Sequence, residues 1–252
     1  MKRAIIIGAS SGIGRQVAQL LIQDGWHVGL AARRKELLDE LKPLAPERIC
    51  TKAIDITAKE APHLLKDLIS DVGGMNLFFH AAGTGWQNPQ LTEDKELKTM
   101  EINAMGFSRM IGEAFRYFAT HTGGHIAVIS SIAGTKGLGA APAYSASKAL
   151  QNTYIEALEQ LSAMRRLHIT FTDIRPGFVD TALLTPSSTD IQTTYPMLMS
   201  AQKVSKLIVK AIYKKKHVIV IDYRWRILTA LWRCIPSFLW RRLRFCHTKK
   251  KE

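Results

Sequence analysis

Arg3-Ala4-Ile5-Ile6-Ile7-Gly8-Ala9-Ser10-Ser11-Gly12-Ile13-Gly14 is the stretch that decides the fold. Arg3–Ile7 is a short, isoleucine-rich apolar run, the composition of a strand covered on both faces. A glycine-rich turn follows, and Ile13–Gln23 then repeats apolar residues at helical spacing. Glycines let such a turn tighten and let backbone N–H groups approach a diphosphate, while the helix N-terminus adds a favourable dipole. Any tight turn needs glycine, so the motif gains meaning from its position between a strand and a helix. Gly8, Ser10, Ser11, Gly12, Ile13 and Gly14 are expected to cradle the pyrophosphate of a dinucleotide.

Working outward, the same strand–helix alternation repeats. Strands are expected at His27–Ala32, Ile49–Ile54, Met75–His80, Ile126–Ser130, His168–Ile174 and His217–Ile221. Helices are expected at Lys35–Leu41, Ala61–Ser70, one unbroken span from about Glu93 to Thr120, about Tyr144 to Met164, and Val204–Lys214. Short continuous strands joined by right-handed crossovers build an α/β fold with a doubly wound parallel sheet of about seven strands. No repeat or linker interrupts the chain before residue 222. One domain, residues 1–222, followed by an appendage, residues 223–252, is the expected organisation.

The 252 residues are 46% apolar, enough for a large core. Three cysteines, Cys50, Cys234 and Cys246, fit neither a zinc site nor a disulfide framework, which points to a reducing compartment. No signal peptide is read at the N-terminus and no run reaches the roughly 18 apolar residues of a membrane span, so a cytoplasmic location is expected. The net charge of +14 is uneven: residues 201–252 hold fifteen of the 35 Lys/Arg and two of the 21 acids. That asymmetry gives the end of the chain, not its body, an anionic partner.

Tyr144-Ser145-Ala146-Ser147-Lys148 sets a phenol and an ammonium one helical turn apart. A phenol ordinarily loses its proton near pH ~10, and a neighbouring ammonium, together with the positive nicotinamide of an oxidised cofactor, is expected to lower that value into the range of acid–base chemistry. Ser130-Ser131 ends a strand thirteen residues upstream, and spacing favours Ser131 as the hydroxyl that steadies a developing oxyanion. At the end of the second strand, where an acid would hold the ribose 2′-hydroxyl of NAD, the chain reads Ala32-Arg33. The planar fork of Arg33 suits a 2′-phosphate, so NADP(H) is expected over NAD(H).

Taken in order, the G-x-x-x-G-x-G turn, His80-Ala81-Ala82-Gly83, Asn103, Ser131, Tyr144/Lys148 and Arg175-Pro176-Gly177 resemble the short-chain dehydrogenase/reductase family over roughly residues 1–221. Two local features differ from the family pattern: Ile7 stands where Thr is usual, and His80-Ala81 stands where two Asn are usual. The resemblance implies a Rossmann fold and hydride transfer between a nicotinamide and a carbonyl compound or alcohol. It implies that Tyr144 is the proton donor, that Lys148 binds the nicotinamide ribose and tunes Tyr144, and that Ser131 orients the carbonyl. It implies that Asn103 helps hold a relay water beside the lysine, that Asp55 lies by the adenine, and that Ala82 and Gly83 allow close cofactor approach. Pro176, Gly177 and Thr181 are expected beside the nicotinamide, and pairing into a homodimer or homotetramer is expected. Two other readings stay open: a nucleotide-sensing scaffold without catalysis, and an NAD-dependent alcohol dehydrogenase.

Residues 182–202, with Tyr195, Met197, Leu198 and Met199, are expected to close over a lipophilic substrate, with ordinary core packing of these methionines as the equal alternative. In the tail, Leu228, Leu231, Ile235, Leu239 and Leu243 fall at helical spacing beside Trp225, Trp232, Trp240 and Phe245, with nine Lys/Arg among them. Pro236 is expected to kink or split the helix. An amphipathic appendage lying on the inner face of a membrane is the expected reading; packing on the body or a second subunit is the alternative. Nucleic acid would use the bases but not the Trp/Leu stripe, so it is not the expected partner.

Overall fold

The computed structural model describes residues 1–184 and 195–243. Seven parallel strands form one sheet: β1 (Arg3–Ile7), β2 (His27–Ala32), β3 (Ile49–Ala53), β4 (Leu77–His80), β5 (Gly124–Ile129), β6 (Ile169–Arg175) and, beyond a separate short pair, β9 (Val218–Val220). Their order is β3-β2-β1-β4-β5-β6-β9. The separate pair is β7 (Val179–Asp180) with β8 (Met199–Ser200), which the sequence reading did not anticipate.

Alternation along β1 sorts the core. Ala4 and Ile6 face the layer that holds Val17 and Leu21 of α1 (Gly12–Gln23) and Val204 and Ile208 near the C-terminal end. Ile5 and Ile7 face the layer of α3 (Ala61–Val72) with Leu65 and Leu68, and of the central helices with Phe107 and Ile155. The period of two along a strand thus feeds both faces, as a doubly wound sheet requires. The chain winds to β2 on one side of β1 and later to β4 on the other. The carboxyl ends of β1 and β4 therefore open on a crevice at the switch point, the place where such sheets bind ligands.

The expected unbroken helix from Glu93 to Thr120 is not unbroken. After α2 (Lys35–Asp39) and α3, α4 (Glu93–Met100) passes through a widened π turn, Glu101–Gly106, into α5 (Phe107–Thr120). One extra residue in the turn changes which side chains face the sheet. Gly106 lies against Ile56, where a Cβ would come 2.8 Å from Cγ1 of that residue. The next helix, α6 (Pro142–Met164), begins two residues before Tyr144, with Pro142 in its first turn.

After α7 (Ala201–Tyr213) and β9, the tail forms α8 (Tyr223–Cys234) and α9 (Ser237–Trp240), split at Pro236 as expected. Asp222 starts α8 by accepting a hydrogen bond from the Arg224 N–H at 2.9 Å. The three described tail tryptophans turn inward. Trp225 packs on Phe178 with ring centroids 5.6 Å apart, Trp232 Nε1 donates to Thr135 Oγ1 at 2.7 Å, and Trp240 Nε1 donates to the Gly137 carbonyl at 2.8 Å. Leu228, Leu231, Leu239 and Leu243 stay exposed, and Ile235 is half-buried. The indoles and the leucines, expected on one stripe, thus face opposite ways. Phe245 lies outside the described residues. Among the described residues no helix is long and apolar enough to cross a membrane.

Candidate active site

The glycine turn is held because nothing larger fits. Gly8 has φ +86°, and a Cβ there would meet the Ala82 backbone nitrogen at 2.6 Å. A Cβ on Gly14 would run into the Gly8 carbonyl, and one on Gly12, at φ +54°, would meet Thr181 Cγ2 at 3.3 Å. Gly8 and Ala82 therefore touch across the switch point, and Thr181 closes over the same turn. Ser11 precedes α1 without a side-chain cap, so the first N–H groups of that helix stay free for an anion. Ser10, half-buried, and Ile13 line the same turn. An uncapped helix start framed by Cβ-free backbone fits the pyrophosphate of a dinucleotide.

Arg33 and Asp55 meet one strand further out. Ile54 N–H donates to the Ala32 carbonyl at 3.0 Å, which sets the two loops side by side. Burial works to raise the Asp55 carboxyl, but the Thr57 backbone and hydroxyl donors and the Arg33 guanidinium outweigh it and hold it below the usual range. Arg33 itself is exposed at the rim.

The reactive side chains converge at the carboxyl end of β5. Ser131 starts a short turn, Ile132–Thr135, its Oγ accepting from the Ala133 N–H at 3.1 Å. Gly134 lets that turn lie against α6, where a Cβ would come 2.6 Å from the Lys148 carbonyl carbon. The Ser131 hydroxyl thereby lies close enough to the Tyr144 phenol to lower its pKa. Ser130 turns the other way, donating to Asp173 and, at 3.2 Å, to the Ile174 carbonyl. Between the two serines, the structure brings Ser131 and not Ser130 to the phenol.

Lys148 is buried, with Nζ 5.8 Å from the Tyr144 ring centroid. It donates to the Ile129 carbonyl at 3.1 Å and to Gln151 Oε1 at 2.9 Å. Burial lowers the ammonium to about 8, against the pull of the Asp173 carboxylate. The Tyr144 phenol moves the opposite way from the expectation: burial raises it, and the Ser131 hydroxyl only partly offsets the rise. Desolvation outweighs the Ser131 hydroxyl here, so the phenol stays protonated and is suited to giving a proton away.

Asn103 sits in the π turn and is completely buried. Its amide clamps Thr84, accepting from N–H at 2.9 Å and donating to the carbonyl at 2.6 Å, and also donates to Ser147 Oγ at 3.1 Å. A Cβ on Gly83 would come 3.3 Å from Asn103 Oδ1 and 3.7 Å from Lys148 Nζ. The Gly83–Gly85 segment thus forms the floor on which Asn103, Tyr144 and Lys148 meet.

Gln151 is one residue that the sequence reading missed. It is fully buried and joins the two halves of the site, accepting from Lys148 Nζ while its Nε2 donates to the Asn103 carbonyl at 2.8 Å. Its spacing of three from Lys148 on one helix was the available signal. Gly85, packed under the Tyr144 ring, and Asp173 were also missed; the latter needs the sheet to be placed.

The Pro-Gly turn joins the Ser131 turn through an Ile132 N–H to Pro176 carbonyl bond of 3.2 Å. Gly177 has another neighbour than expected: its open face is filled by the Trp225 indole. Tyr195 packs on Phe178 at 5.1 Å and Met199 is buried beside it, while residues 185–194 of the expected lid lie outside the described residues.

Three comparisons agree with this geometry. The sequence profile described as short chain dehydrogenase matches residues 2–192. An uncharacterized oxidoreductase of Staphylococcus aureus is 30% identical over 86% of this chain and 93% of its own length. One of Myxococcus xanthus is 28% identical over 96% of this chain and 98% of its own. Actinorhodin polyketide ketoreductase, solved with NADPH, superposes with a TM-score of 0.76 at 24% identity, covering 87% of this chain and 95% of that one. A short-chain dehydrogenase/reductase of Burkholderia phymatum, solved with NAD, superposes with a TM-score of 0.79 at 19% identity, covering 91% and 92%. At such identities the two structures speak for the fold alone.

Proposed function

The chain belongs to the short-chain dehydrogenase family and is an NAD(P)-dependent oxidoreductase, and from that premise we propose that it reduces a lipophilic ketone or aldehyde to the alcohol with NADPH. The observation that carries this reading is the convergence of Ser131, Tyr144, Lys148 and Asn103 at one end of the sheet, next to the glycine turn. A sensor would need the cradle but not the proton donor.

The residues divide the work by chemistry. Gly8–Gly14 would hold a nicotinamide dinucleotide, with Pro176 and Thr181 on its nicotinamide side, and that group would supply the hydride. Ser131 holds the carbonyl oxygen by a hydrogen bond. Tyr144 gives its phenolic proton to that oxygen as the carbon gains the hydride, leaving the alcohol and a phenolate. Lys148, charged at neutral pH, stabilises that phenolate and would also hold the nicotinamide ribose. Asn103 keeps the floor of the site in register through Thr84.

NADPH is preferred because Arg33 replaces the acid that would hold a 2′-hydroxyl and is itself exposed at the adenosine rim. Family members commonly oligomerise, and a homodimer or homotetramer is proposed here. A basic tail on a neutral body supports an anionic membrane surface as its partner.

One assay tests the reading: oxidation of NADPH and of NADH against a panel of apolar ketones and aldehydes. Tyr144→Phe should lower turnover by about 10²-fold or more, the usual share of a general acid. Arg33→Ala should raise KM for NADPH and leave NADH unchanged. Undiminished turnover by the Phe variant would remove Tyr144 from the reaction.

A further inference from the structure

We propose that the outward face of α8 and α9 is a docking surface for an anionic lipid bilayer. This deepens the membrane placement above and is independent of hydride transfer.

At 100° per residue, α8 has two distinct faces. Trp225, Thr229 and Trp232 fall on the inner one and pack on the body. Ile227 and Leu231, one turn apart on the opposite side, are 56% and 63% exposed, with exposed Cys234 continuing the line. Phe238, in α9, is 62% exposed. Isolated exposed apolar residues are ordinary; a run of them along one helix face and its continuation is not.

The charges beside this ridge have one sign. Asp222 is the only acid between residues 222 and 243, and it is taken up by Arg224. No carboxylate among the described residues pairs with Arg226, Arg233, Arg241 or Arg242, all of them exposed. Arg226 and Arg233 lie 20° apart on the helix circumference, along one side of the apolar strip. A bilayer with anionic headgroups meets both demands, accepting the apolar side chains below the headgroups and the guanidinium groups at their level. A second copy of this surface would bring unpaired arginines face to face with no acid to meet them.

The ridge also sits above the catalytic machinery. The inner face of α8–α9 grips the segment between Ser131 and Tyr144: Lys136 Nζ donates to the Ile235 carbonyl at 2.9 Å, and Trp232 and Trp240 donate to Thr135 and Gly137. Beside it, a groove of about 470 Å³ opens between Gly137 and Arg241. A bilayer on the ridge brings the source of an apolar substrate to this side of the protein.

Flotation of the full chain with vesicles tests the proposal. The chain should float with mixed phosphatidylcholine–phosphatidylglycerol vesicles and far less with phosphatidylcholine alone, and salt should weaken it. The combined Ile227→Asp, Leu231→Asp, Phe238→Asp variant should lose at least about tenfold of that binding while keeping its NADPH oxidation, which also reports that it folds. Arg226→Glu with Arg233→Glu should abolish the preference for anionic vesicles. Failure of the unaltered chain to float, or flotation of the triple variant at full strength, overturns the proposal. So does a fall in oligomer mass of the triple variant by sedimentation when neither protein floats, because the ridge is then a subunit contact. Tyr144→Phe should float normally, so loss of the catalytic reading and loss of this one are separate results.

Discussion

Gln151 carries no charge, yet it ties the ammonium of Lys148 to the backbone of Asn103. A hydrogen bond to a charged group contributes about 1.5–3 kcal/mol. Gln151→Ala should therefore lower kcat by roughly tenfold to a hundredfold. Gln151→Glu discriminates positioning from mere packing. A carboxylate beside Lys148 raises the ammonium from about 8, so the alkaline fall of the kcat/KM profile should move to higher pH. An unmoved profile in the Glu variant would leave Gln151 a packing residue. Tyr144 and Lys148 were legible because four residues along a helix bring two side chains together whatever surrounds them. The direction of the Tyr144 shift was not legible, because burial depends on what the rest of the chain lays over it.

Elements differ in how much of them their own residues specify. The strands of the sheet were legible from short apolar runs, and α8–α9 from spacing and Pro236. The π turn was not, since a single extra residue within an otherwise helical pattern hardly changes the periodicity. That turn nevertheless carries Asn103 to Thr84. The tail's orientation was also hidden, because Trp and Leu alternate around it and only the body decides which of them is covered. Trp225, buried against Gly177 and Phe178, fixes α8 to the Pro-Gly turn. Trp225→Ala should cost about 3–5 kcal/mol, read as a lower urea midpoint. A loss under about 1 kcal/mol would mean that α8 is not anchored there.

At the scale of the whole molecule, two buried histidines couple folding to pH. Burial, with the Lys148 ammonium nearby, lowers His80 to about 3; burial, with Lys215, lowers His125 to about 4. The unfolded chain protonates both near pH ~6.5. Between that value and the folded ones the unfolded state binds more protons, so stability falls as pH drops below about 6.5. Each histidine contributes about 1.4 kcal/mol per pH unit over that window. His80→Asn should remove one of the two contributions, giving a shallower loss of thermal stability between about pH 6 and pH 4.5. An unchanged slope would show that His80 does not stay neutral in the fold.

By itself the sequence determined the layered α/β architecture, the glycine turn and the pairing of Tyr144 with Lys148, because strand period, helix period and turn chemistry are properties of neighbours along the chain. Only the tertiary structure decided that burial raises the Tyr144 phenol, that Gln151 links Lys148 to Asn103, and that the tail tryptophans turn inward while Ile227 and Leu231 face out. Each of those outcomes depends on what lies across space from a side chain. Burial and partner choice arise when distant segments pack, and no local spacing encodes them.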